Sequence, residues 1–152
     1  MYSETITLFN KHSDRFGDMW YPHLLHNVDL IVDRASVIAK YGAETSSNAK
    51  LHIKYKDEKG QLTVDGIPFM ESKEWHSLTA DEKMDYITFN ADANNPDFFV
   101  VGDIGITDPV VDDVDAQDSL VDRLSKQMDI YTIVSASAPY KVIKHFEIMA
   151  KG

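Results

Sequence analysis

The residues whose types suit chemistry are six histidines and a cluster of aspartates. The histidines are His12, His23, His26, His52, His76 and His145. His23 and His26 are the nearest pair. On a helix that spacing would let both rings reach one metal ion. Pro22 precedes them and strand-like residues follow, and on a strand a three-residue step sends the two rings to opposite faces. Neither an HExxH nor an HxH motif occurs, so no metal and no cofactor is expected. The aspartates are denser. Asp108, Asp112, Asp113, Asp115, Asp118, Asp122 and Asp129 are offset by Arg123 and Lys126 alone, a net of −5 that is half of the chain's total. The run Asp113-Val-Asp115-Ala-Gln117 starts like a calcium-binding EF-hand loop. It then departs, with Asp118 where a glycine is needed and Leu124 where the bidentate glutamate belongs. The region 108–129 is therefore expected to be a solvated acidic loop.

Nucleophile motifs are missing. The sequence contains no GxSxG, no P-loop and no cysteine. Gly102-Asp103-Ile104-Gly105 lacks the rest of a dinucleotide fingerprint. A pair of carboxylates for glycoside cleavage would show only in space. The expectation is a protein that is not an enzyme. Three aromatic side chains, Trp20, Tyr21 and Trp75, are heavy enough to anchor a partner, although strand alternation around Trp20 favours a place in the core. Trp20, Tyr21, Trp75 and the aspartates Asp112, Asp113, Asp115 and Asp118 are the candidate interface residues.

Those side chains sit in a chain of 152 residues with a formal charge of −10 and 43% hydrophobic residues. That length suits one domain spanning 1–152 that can bury its own core. The composition is that of a globular protein rather than a disordered one. An acidic domain without a basic patch has no general hold on phosphate backbones or anionic lipid, so neither a specific nucleic acid nor a membrane is expected as partner. The first residues, Met1 to Thr7, carry no basic region and no long apolar stretch, so no signal peptide is expected.

The elements that must position these residues read mainly as strands. Ile6 and Leu8 alternate with threonines, and Leu51, Ile53 and Tyr55 alternate with His52, Lys54 and Lys56. Asp57–Gly60 and Asp65-Gly66 are turn signals around a strand at Gln61–Val64. Phe98–Val101, Ile130–Val134 and Val142–Met149 predict further strands, with Asn94–Asp97 as a loop. Helices are predicted at Val32–Tyr41, as a single turn at Ser72–Leu78, after the capping box Thr79–Glu82, and within Asp118–Met128. The fold class is mainly β: a small antiparallel barrel or sandwich with one to three short helices and long loops.

The order of these pieces resembles a family of small tailed-phage and prophage proteins, the minor capsid or head–tail joining proteins. The resemblance starts at Ile6-Thr7-Leu8-Phe9-Asn10-Lys11 and continues through Trp20-Tyr21-Pro22 and Leu24–Leu30. Further along, Ala49–Tyr55, Lys73-Glu74-Trp75 and Phe98–Asp103 follow in the same order. Asp129–Ser135 and His145-Phe146-Glu147 complete it. The Gln61–Gly66 segment and the acidic stretch look longer than in that family, and Ala150 stands where glycine is usual.

The resemblance implies a non-catalytic virion protein of the head-closure type. It would be made in a bacterial cytoplasm and carried into the virion. It would contact portal or adaptor and tail proteins and self-associate into a ring on docking. Acidity suits a ring through which DNA must slide without sticking. Two other classes compete. An acidic inhibitor that mimics DNA would spread carboxylates over a whole face, whereas here half of the charge lies in one segment and Lys50, Lys54 and Lys56 mark a strand. A hydrolase without a recognisable motif would need a convergent pocket.

Overall fold

The computed structural model describes residues 2–33, 48–113 and 117–152. Among the described residues, ten strands and three short helices follow one another. The strands are β1 (Glu4–Asp14), β2 (Gly17–Asp33), β3 (Asn48–Lys54), β4 (Lys56–Glu58), β5 (Gln61–Val64), β6 (Ile67–Pro68), β7 (Phe98–Val101), β8 (Val110–Asp113), β9 (Tyr131–Ala136) and β10 (His145–Lys151). The helices are α1 (Ser72–Trp75), α2 (Ala80–Asp85) and α3 (Leu120–Ser125). The main sheet runs β1-β7-β9-β10-β3-β2-β8, and β1 also pairs with β2. That second pairing closes six antiparallel strands into a barrel and leaves β8 as an added strand on the outside of β2. The expected mainly β barrel with short helices is the fold observed.

β2 makes the closure possible because it changes partner along its length. Residues 17–28 pair with β1, and Asp29–Asp33 pair with β3. The switch falls at a bulge, where Glu4 pairs with Val28 but Ile6 with Leu25, and Asn27 takes a left-handed φ of 58°. An extra residue bends a strand and raises its twist, which a small closed barrel requires. The Asp65 carboxylate holds the bulge, accepting from the His26 backbone N–H at 2.9 Å. Asp65-Gly66 is itself a turn with both residues at positive φ, as is Lys59-Gly60 (56° and 90°). Such two-residue turns match the twist of a hairpin, so β4, β5 and β6 stack as a small meander.

Two apolar clusters result. The barrel interior takes Ile6, Leu8, Leu25, Leu51, Phe99, Ile133, Phe146 and Ile148, closed over by Val64, Ile87 and Phe89. The other face of β1, β7 and the start of β2 holds Phe9, Trp20, Phe98 and Val100, covered by Leu120 and Leu124 of α3. β1 is thus buried on both sides, which is why Thr7 is buried although the alternation assigns it to a wet face. The Ser119 capping box and the apolar spacing from Leu120 form α3 where a helix is expected. The expected helix at Val32–Tyr41 is corrected at its start. Val32 and Asp33 end β2, paired with Ala49 and Asn48, and the remainder lies outside the described residues.

A fully buried carboxylate ties the barrel to its covering segment. Asp97 accepts from the Lys11 N–H, the Asn90 N–H and the Asn10 side-chain amide, each at 2.8 Å. Its own carbonyl accepts from the Ile133 N–H at 3.0 Å. Asn10, also buried, donates to the Thr88 carbonyl at 2.7 Å and accepts from the Thr88 N–H at 3.3 Å. Burial pushes the Asp97 carboxyl up to about 7, against the pull of the three donors. Burial pushes the His23 imidazole the other way, down to about 4.

The two groups have opposite linkage. The stabilising contribution of a group with a raised pKa is full below its unfolded value and is lost as pH rises through the folded one. That of His23 is full above its unfolded value and is lost as pH falls towards 4. Asp97→Asn removes the first contribution and keeps the second. Urea unfolding from about pH 4 to 7 should therefore show the stability of wild type relative to Asp97→Asn falling as pH rises, and parallel curves would contradict the assignment.

Candidate functional site

The residues selected from sequence do not form one site. Trp20 lies in the outer cluster, edge-on to Phe98 at 4.9 Å, and its indole N–H donates to Asp112 at 2.9 Å. Tyr21, the next residue, faces the other way and meets Trp75 edge-on at 5.5 Å. The Trp75 indole N–H donates to the carbonyls of Lys83 and Tyr86, both at 3.2 Å, so this ring pins α1 against α2. Exposure is 4% for Trp20, 2% for Tyr21 and 0% for Trp75. These three rings are core side chains in this structure.

The acidic stretch is more ordered than the expected loop, since β8 and α3 occupy much of it. β8 alternates: Val110 and Asp112 turn inward, Val111 and Asp113 outward. Asp112 is buried and accepts from the Leu120 N–H at 3.0 Å as well as from Trp20, with the Arg123 guanidinium 3.7 Å away. A carboxylate on the first-turn N–H of a helix stabilises that helix. Asp122 belongs to the capping box with Ser119, and Asp118 pairs with Lys126 at 3.5 Å. Asp113 and Asp118 are exposed, and so is Asp108. Asp115 lies outside the described residues.

Other polar groupings have no counterpart in the sequence motifs. His12 and His76 face each other Nδ1 to Nδ1 at 3.2 Å, one ring donating to the other, and burial lowers both pKa values. The buried Asn10–Asp97 pair was hidden by its neighbours, a strand motif and a loop motif, because only tertiary pairing joins them. On the outer wall His52, His145, Glu147 and Asp29 come together through strand register. The wet face containing His52 and the two-residue spacing of His145 and Glu147 were both visible in sequence. The pairing of β3 with β10 was not. A cleft of about 420 Å³ lies beside the β4–β5 hairpin and is lined by Lys54, Lys56, Lys144, Glu58 and Asp65. None of the candidate interface residues lines it.

Two exposed apolar residues mark another region. Phe16, at the tip between β1 and β2, is 66% exposed, and Val111 on β8 is 59% exposed. Both lie towards the same end of the β2–β8 pair, since Gly17, next to Phe16, pairs with Asp113 and Met19 pairs with Val111. Asp14, Asp18 and Asp113 lie around them. Among the described residues β8 pairs only with β2, so its outer edge is unpaired.

Fold and surface together define a closed six-stranded β-barrel with an acidic, partly apolar edge strand added to its wall. The chain belongs to the DUF6751 family, a family of unknown function, whose profile matches residues 1–151. No curated protein and no solved structure matches it. Among the described residues no helix is long and apolar enough to cross a membrane.

The roles of neighbouring aspartates separate by substitution. Asp112→Ala strands the Trp20 and Leu120 donors in the core and should cost about 2–3 kcal/mol in urea unfolding. Asp113→Ala should stay within about 0.5 kcal/mol. Equal losses would contradict the division of β8 into an inward and an outward face.

Proposed function

We propose that this chain is a non-catalytic structural protein that acts through protein–protein contacts, of the head-closure type at a phage head–tail junction. The observation that carries the contact role is the outer edge of β8, which no described strand pairs, with Val111 exposed on that strand and Phe16 exposed at the β1–β2 turn. A row of unpaired backbone N–H and C=O groups is a template for strand addition by a neighbour. The heterologous contact that builds a ring needs such a patch on each subunit. The phage setting rests on the ordered sequence resemblance from Ile6 to Lys151. The portal or adaptor, tail proteins and further copies of the chain are the partners in this reading, and the virion is its destination. The inhibitor reading is less well supported, because Asp112 is buried in the fold and Asp118 pairs with a lysine, which leaves fewer carboxylates to imitate a phosphate backbone.

Deleting the gene from its phage genome should leave filled heads and finished tails unjoined. Restoring it with Asp108, Asp113 and Asp118 changed to lysine, or with Val111→Lys, should reduce joined particles about tenfold or more by plaque count and electron microscopy. These four side chains are exposed, so the fold should survive. Normal particles from the deletion strain would overturn the proposal.

A further inference from the structure

The outer face of the wall formed by β2, β3 and β10 carries a polar row set by strand register. Asp29 lies opposite His52, and His52 opposite Glu147. His145 precedes Glu147 by two residues and so shares its face. Each imidazole is oriented from behind. Nδ1 of His52 is 3.1 Å from Oδ2 of Asp29, and Nδ1 of His145 is 2.5 Å from the Ile143 carbonyl oxygen. A carboxylate and a carbonyl only accept, so in both rings Nδ1 carries the hydrogen. Both Nε2 atoms then approach a single acceptor, Oε1 of Glu147, at 3.8 Å from His52 and 3.3 Å from His145. In neutral imidazoles these Nε2 atoms are lone pairs, so three acceptors converge with no donor among them.

We propose that this convergence is a binding site for a divalent transition-metal ion of the zinc class, ligated by His52 Nε2, His145 Nε2 and the Glu147 carboxylate, with solvent in the fourth position. Histidines that bind zinc typically donate their other ring nitrogen to a carboxylate or a backbone carbonyl, which is the arrangement here. Bond lengths of about 2.0–2.1 Å place tetrahedral nitrogen and oxygen ligands roughly 3.3 Å apart. His145 and Glu147 already have that separation. As the side chains stand, no three described donors close on one ion. His52 stands about 0.5 Å farther from Glu147 than that tetrahedral spacing, and its side chain is 26% exposed. Tyr140 braces the site, stacking on His145 at 4.9 Å and directing its hydroxyl to Oε2 of Glu147 at 3.5 Å. Protons on the two rings would satisfy the same geometry, and the experiment separates the two. The site is independent of the assembly role.

The test uses the full chain, stripped with a chelator and titrated near neutral pH with Zn²⁺ by calorimetry and with Co²⁺ by visible absorption. One ion per chain should bind, with the intense Co²⁺ bands of a tetrahedral site. His52→Gln, His145→Gln and Glu147→Gln should each weaken binding about tenfold or more, and Asp29→Asn should weaken it by its effect on His52. His26→Gln, whose ring pairs instead with Asp65, should bind as wild type. Circular dichroism checks the fold of each variant. Glu147, the most exposed ligand at 46%, keeps the test open if a histidine variant does not fold. Absence of saturable binding, binding unchanged in Glu147→Gln, or an equal loss in His26→Gln would overturn the proposal and leave the rings held by protons.

Discussion

A single buried carboxylate holds the covering segment to the barrel. Asp97 ties three pieces of chain that are distant in sequence: β1 through Lys11 N–H, the segment after α2 through Asn90 N–H, and β9 through its own carbonyl to Ile133. Burial of such a group is costly unless every lone pair meets a donor, and here three donors meet it. Phe98 and Phe99, which follow it directly, then point into the outer and inner clusters respectively. Fixing Asp97 therefore sets the position of β7, and β7 is the strand that joins β1 to β9 in the closed barrel.

The same economy governs the acidic stretch. A carboxylate on a helix's first turn and in contact with an indole N–H is worth more inside the fold than on its surface. Asp112 is used in that way, and it attaches α3 over Trp20 and Phe98. What remains exposed on β8 is its outward pair, Val111 and Asp113, along an edge that no described strand pairs. The charge that looked like one solvated loop is thus divided between helix capping, an ion pair with Lys126 and the rim of that edge.

Local pattern made the elements legible. The alternation at Leu51–Tyr55, the turn signals ending at Gly60 and Gly66, and the capping box at Thr79 all fold as read, because each depends on neighbours within a few residues. The helix signal at Val32 gave way to strand because pairing of Val32 with Ala49 outweighs weak helical propensity. The sites were less legible. Trp20, Tyr21 and Trp75 have the same residue types whether they anchor a partner or fill a core, and only packing separates the cases. Asn10 with Asp97, and His52 with Glu147, are made neighbours by register between strands far apart in the chain, which a single sequence does not carry.

The claim on which the rest stands is that Asp97 holds a seam that opens only when the barrel does. Native-state hydrogen exchange tests it directly, residue by residue. The N–H groups of Lys11, Asn90 and Ile133, all bonded to Asp97, should exchange in the slowest class, at the free energy of global unfolding. Exchange of these three amides at the faster rates of local opening, while the barrel strands β3 and β10 stay protected, would contradict the account.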